Sequence, residues 1–118
     1  MIVIGGKQVK TKKVSAPIFT GTVERTDLID QTTGSREYRA SIITFPPGTR
    51  NKFHIHDHEQ ILYIIRGKGI VANEKEEKVV AEGDIIFIPA GEKHWHGATE
   101  DSWFSHLFIY SPETKTTF

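Results

Sequence analysis

The sequence predicts an all-β protein folded as one barrel or sandwich. Short runs rich in Val, Ile, Phe and Tyr recur between Gly, Pro, Asn and Asp punctuation. No 3.6-residue apolar pattern persists anywhere, and many short strands at close spacing are the mark of a sandwich or barrel. The 118 residues suit one domain, able to withdraw roughly two-thirds of the unfolded surface from water without staples. We place the whole chain, 1–118, in that domain, with its core at about 18–111.

The expected strands are 18–24, 38–45, 52–56, 60–66, 68–72, 78–81, 84–88, 95–98 and 105–111. Pro46-Pro47-Gly48 ends the second, because two prolines remove two ladder donors. Asn73-Glu74-Lys75-Glu76 is charged enough for an exposed hairpin tip. Glu82-Gly83-Asp84 and Pro89-Ala90-Gly91 bracket a run, Ile85 to Ile88, apolar on both faces and so expected to be buried. Thr26 to Arg36, poor in apolar residues and carrying Gly34, reads as a long loop or lid.

Composition narrows the function. With 37% hydrophobic residues, 25% charged residues and a mean hydropathy of −0.35, the chain resembles an ordinary soluble protein. Fifteen basic residues balance fifteen acidic ones, which removes the field a general nucleic-acid binder needs. The basic stretch Lys7, Lys10, Lys12, Lys13 reads as a solvated edge. No apolar run approaches the ~20 residues of a membrane span, and Met1-Ile2-Val3-Ile4 is too short for a signal-peptide core. Absence of cysteine excludes a disulfide framework, a zinc ribbon and a thiol nucleophile, and fits a cytoplasmic protein. Any metal must then be held by imidazole, amide or carboxylate groups.

All six histidines, His54, His56, His58, His94, His96 and His106, fall between residues 54 and 106, in three clusters at strand ends. Residues i and i+2 of a strand share a face about 6.5 Å apart, so His54 and His56 can reach one ion at roughly 2.1 Å each. Gln60 opens the return strand beyond the polar Asp57-His58-Glu59 tip, where its amide oxygen can be a third donor. The turn from Pro89 releases His94 as a fourth. Alone, an HxH pair is more often two surface residues than two ligands; the three clusters together favour the metal. If its strand is regular, His96 shares the inner face with His94, and His106 shares a face with Phe108 and Tyr110. Near a metal, such histidines suit general acid and base work, or the orienting of ligands. The same parity suggests a pocket lined by Ala40, Ile42, Leu62, Phe87, Phe108 and Tyr110. His58 reads as solvent-exposed, and Trp95 and Trp103 as barrel wall or dimer contacts.

Two motifs with these residues resemble those of the cupin superfamily. Gly48-x5-His54-x-His56-x3-Gln60-x6-Gly67 resembles the first cupin motif, and Gly83-x5-Pro89-x-Gly91-x2-His94 the second. The first normally carries glutamate where this chain has Gln60, and the second normally ends in asparagine where it has Ala98. The resemblance implies a single-domain jelly-roll β-barrel with the metal inside its wider mouth. Phe19-Thr20-Gly21-Thr22-Val23, Ala40 to Thr49, Gly91 to Thr99 and His106 are similar to the small manganese cupins of the carboxymuconolactone-decarboxylase-like group, some of which act as hydroxynitrile lyases. That group uses three histidines and a glutamine as ligands. It implies manganese at His54, His56, Gln60 and His94, His106 as proton acceptor, His96 as stabiliser of or proton donor to the departing anion, and a homodimer.

Three imidazoles and one amide are neutral, so a divalent ion keeps its full charge, which favours Lewis-acid over redox chemistry. The expected function is a metal-dependent lyase acting on a small hydroxylated or hydroxynitrile-like substrate. A sugar-acid isomerase, a dioxygenase and a non-catalytic ligand-binding barrel remain as alternatives. Iron, nickel, zinc or copper are alternatives to manganese. No nucleic-acid or membrane partner is expected.

Overall fold

The computed structural model describes residues 1–118. Ten strands follow in order: β1 (Thr11–Val14), β2 (Val23–Ile29), β3 (Arg39–Phe45), β4 (Ile55–His56), β5 (Gln60–Asn73), β6 (Glu77–Ala81), β7 (Ile85–Ile88), β8 (His94–Ala98), β9 (Phe104–Tyr110) and β10 (Thr116–Thr117), with one 3-10 turn at Gln31–Thr33. All pairings are antiparallel. The path β1-β2-β3-β9-β5 forms one wall, to which β7 adds along the first half of β5; β6 and β8 flank its second half in the other wall. β4 and β10 form a separate short pair.

β5 belongs to both walls because it bends at Gly67. There φ is +76°, and an added Cβ would lie 1.7 Å from the Trp103 carbonyl oxygen, so no other residue fits without moving the backbone. The two strands expected at 60–66 and 68–72 are therefore one strand that turns a corner. Phe45 and Phe104, both fully buried, pack with Val23, Ile43, Ile64, Val80 and Ala98 between the walls. This core closes the narrow end and leaves the other end open.

Several expectations are corrected. Val23–Ile29 is a strand, so Thr26 to Ile29 do not belong to a loop, and 18–22 contributes only an isolated bridge from Phe19 to Asn51. β2 hides from a hydrophobic scan because Arg25 and Asp27 pair with each other rather than being excluded from the sheet. Strands β1 and β10 were not expected; β1 carries Lys12 and Lys13 along the sheet edge, as the basic stretch suggested. The run Ile85 to Ile88 is buried on one face only, since Ile85 and Phe87 are 69% and 58% exposed. The Asn73 tip is a hairpin turn, its Oδ1 accepting from the Lys75 and Glu76 amides.

Candidate metal centre

β4 and β8 face each other at the open end, tied by reciprocal backbone bonds between His54 and His94 at 2.9 and 3.0 Å. This crossing brings the first and second histidine clusters together. One potential ligand atom from each of His54, His56 and His94 lies within 4.8 Å of the others, the reach needed for three bonds to one ion.

The outward ring nitrogens are fixed by their surroundings. His54 Nδ1 donates to the Lys52 carbonyl at 2.6 Å and His94 Nδ1 to the Glu92 carbonyl at 2.9 Å, which leaves each Nε2 as a lone pair. His56 Nδ1 lies 2.8 Å from the Thr116 hydroxyl on β10. Gln60, at the start of β5, is buried, and its Oε1 has no hydrogen-bond partner. His94 Nε2 is likewise buried and unpartnered. Dry acceptors without donors are costly unless something electropositive fills the gap between them, and these fit a divalent cation.

Burial, the larger cause, and the neighbouring histidines His94 and His56 push His54 down to about 4; burial and His94 do the same to His56. Burial also lowers His94. The three imidazoles are thus unprotonated at neutral pH, the state a cation requires. His96 and His106 lie deeper, with ring centroids 4.9 Å apart and Phe45 beneath both. Burial first, then His106 and the three outer histidines, holds His96 well below its ordinary value; burial alone takes His106 to about 3. Both His106 ring nitrogens lack partners.

These groups share one cavity of about 290 Å³, the size of a small-molecule site. All four expected ligands but His94 line it, as do His96, His106, Phe108 and Tyr110. Ala40, Ile42 and Phe87 do not: Ile43 rather than Ile42 stands beside His106, and Phe87 pairs with Ile61 on the outer face. The expectation for β3 slipped by one residue, which in a strand changes the face. Leu62 is fully buried in the core beside the cavity rather than in its lining. His58 sits at the surface against Asp57. Trp95 is barrel wall, buried with the Arg50 guanidinium 3.7 Å over its ring, while Trp103 is exposed.

Three polar residues escaped the sequence reading. Asn51 Oδ1 accepts from the His96 backbone at 2.8 Å, and its Nδ2 lies 3.2 Å from the ring Nε2, so the amide holds His96 from both ends. Gly97 makes this possible: a Cβ there would be 2.4 Å from Arg50 Cα, blocking the approach of the segment that carries Asn51. Thr116 and Arg25 are the others. None has a spacing signal: Asn51 and Thr116 lie 45 and 60 residues from the histidines they touch, and Arg25 stands on β2, away from every histidine in sequence.

Residues 41–110 match the cupin domain family, and the chain is a member of it. It is 37% identical over 100 residues to an (R)-mandelonitrile lyase of Granulicella tundricola, covering 82% of this chain and 74% of that enzyme. A shorter stretch, 49 residues at 45% identity, is similar to an acireductone dioxygenase of Leptospira biflexa and spans 28% of it. Among solved structures, a cupin-like protein from Thermotoga maritima superposes with a TM-score of 0.83 at 30% identity, over 90% of this chain and 82% of that one. A polyketide cyclase from Streptomyces resistomycificus gives 0.85 at 22% identity, over 100% and 86%, a likeness of fold alone.

Proposed function

We propose that this cupin is a Lewis-acid metalloenzyme of the lyase type, acting on a small hydroxylated or hydroxynitrile-like substrate. In this reading His54, His56, Gln60 and His94 hold one divalent transition metal, manganese before iron, nickel, zinc or copper. The observation that carries it is the buried, unpartnered Gln60 Oε1 in the cavity that His54 and His56 also line, next to the three-histidine cluster those two form with His94. An ion held by four neutral donors supplies undiminished positive charge to a substrate hydroxyl or to the alkoxide it becomes.

The chain's own residues do the proton work. His106, neutral and with both ring nitrogens free, accepts the substrate hydroxyl proton as the adjacent carbon–carbon bond breaks. Its low proton affinity rises as negative charge develops beside it. In a hydroxynitrile the bonding pair leaves with cyanide, and the hydroxyl proton ends on that anion, leaving a carbonyl compound. His96, whose backbone and ring edge Asn51 holds, lines the cavity where it can hydrogen-bond the departing anion. Phe45 keeps water from the floor beneath both rings.

Elemental analysis of protein purified without added metal, followed by cyanohydrin cleavage with wild type, Gln60→Ala and His106→Ala, tests this. About one equivalent of metal and activity lost in both variants is expected; a folded, stable protein that takes up no metal overturns the centre. Activity unchanged in His106→Ala removes the base. Similarity to acireductone dioxygenases favours a second reading, oxygenation of an enediol, and substrate-dependent oxygen consumption decides for it.

We further infer a homodimer. Ile61, Tyr63, Ile65, Ile85 and Phe87 project from the outer face of β5 and β7, each at least 37% exposed. Together they form an apolar patch on the order of 500 Å², large for a monomer and more than half of the roughly 800 Å² each partner gives to a standard interface. A second copy offers the same flat, uncharged face and closes the contact by twofold symmetry.

A further inference from the structure

Arg25 is the one side chain in the cavity wall with a fixed positive charge. It stands on β2, in the wall opposite β8, and register places it two strands from His106, through Ile43. Its side chain is 29% exposed and held from three sides. Nε donates to Asp27 Oδ1 at 2.7 Å, and Nη2 donates to the Ser41 hydroxyl at 3.3 Å and to the Tyr110 hydroxyl at 3.1 Å. Ser41 in turn donates to Asp27 at 2.7 Å. The guanidinium carbon lies 5.5 Å from the centre of the Phe108 ring, which stacks on Tyr110 at 4.6 Å and meets His106 edge-on at 5.9 Å.

The donor count shows what this arrangement lacks. A guanidinium has five N–H donors, and the protein uses those of Nε and Nη2, so the pair on Nη1 has no protein acceptor. Because Tyr110 accepts from Arg25, its own hydroxyl proton is free to be donated. Three donors therefore remain in the lining of the cavity, with no carboxylate paired to them. Asp27 offsets part of the Arg25 charge, but Lys12 lies 3.8 Å from Asp27 and restores the positive balance. The sole carboxylate in the cavity lining is Glu59, which is exposed at the rim. A guanidinium kept for packing alone would leave no reason for a pocket so poor in anions.

We propose that Arg25 and Tyr110 form an anion-binding subsite, and that the substrate is a short, flat molecule with a hydroxyl or oxo group at one end and a carboxylate at the other. The inference rests on the metal-centre reading for the hydroxyl end only. Phe108 is the platform between the two ends, offering its face to the apolar middle of the ligand. One Nη1 N–H and the Tyr110 hydroxyl can each donate to one oxygen of a carboxylate, the guanidinium bond being charge-assisted.

The test uses two rigid probes of the same shape, 4-(hydroxymethyl)benzoate and its neutral amide, 4-(hydroxymethyl)benzamide, titrated calorimetrically into manganese-treated protein. Wild type is expected to bind the benzoate at least about ten-fold more tightly, as for a charge-assisted pair in a partly buried site. Arg25→Gln is expected to abolish that preference, and Tyr110→Phe to reduce it several-fold while leaving the amide unchanged. Equal binding of both probes by wild type overturns the proposal. So does a preference that survives in Arg25→Gln, since the carboxylate then sits on the metal. If Arg25→Gln fails to fold, the wild-type comparison and Tyr110→Phe decide, and an undiminished preference in Tyr110→Phe overturns the subsite. Metal content is measured on the same samples. Metal uptake without anion preference sinks the subsite and spares the centre; anion preference lost with Arg25, in protein that takes up no metal, does the reverse.

Discussion

Acidifying the metal-free protein from pH 7 to pH 5 will cost it several kcal/mol of stability, and His106 sets a measurable part of the cost. In the folded chain His106 titrates at about 3, below its ordinary 6.5, because burial penalises the imidazolium. The unfolded chain therefore binds more protons between those two values, and stability rises with pH across that window. At pH 5 the unfolded histidine is protonated and the folded one is not, which costs about 2 kcal/mol at 1.36 kcal/mol per unit of pH. His54 and His56, both at about 4, act in the same direction, with a smaller share for His56 at the mouth. The three together remove about 4–6 kcal/mol from a domain whose whole stability is roughly 5–15 kcal/mol. Urea denaturation of chelator-treated protein at several pH values measures the slope directly. His106→Leu, similar in volume, should flatten it by about one proton, or roughly 1.4 kcal/mol per pH unit. A wild-type stability that is level between pH 7 and pH 5, or a slope unaltered in His106→Leu, would refute the reasoning.

Other outcomes are as definite. Gln60→Ala should raise the metal dissociation constant at least ~10-fold in a competitive chelator titration, since it deletes one of four donors, while metal-free stability at pH 7 hardly changes because the lost oxygen had no partner. Gly97→Ala should destabilise by about 3 kcal/mol or more, read by thermal melting, as the new Cβ meets Arg50 Cα at 2.4 Å and the Thr49 carbonyl at 2.6 Å. Its metal occupancy should fall too, because the same segment leads into His54. Phe87→Lys combined with Tyr63→Lys should leave a folded monomer in sedimentation equilibrium; a monomeric wild type would rule out the outer-face dimer.

Histidine spacing makes the cluster of His54, His56 and His94 legible in the sequence, because an HxH pair, a tip of three polar residues and a turn ending in histidine are local devices. Pairing them needed only the assumption of antiparallel return strands. What stayed hidden depends on inward-facing polarity. β2 reads as a loop because Arg25 pairs with Asp27 along the strand, Thr26 bonds Thr11 on β1 and Asp27 accepts from Ser41 on β3, and a hydrophobic period cannot register polar residues paired in this way. The parity of β3 was lost for a related reason. Ser41 faces inward toward Arg25, so the apolar residues on either side looked like the inner set. Thr116 and Asn51 touch His56 and His96 across 60 and 45 residues, separations at which no spacing rule operates.

The alternation along β5 has one more consequence. Gln60, Leu62 and Ile64 look into the barrel, while Ile61, Tyr63 and Ile65 look out, so the candidate ligand and the apolar outer patch are sequence neighbours on a single stretch of backbone. Pressure on one face of a strand is felt on the other within one peptide unit. In the proposed dimer a second copy seated against Tyr63 would rest on the same backbone that carries Gln60, so metal affinity would then depend on protein concentration.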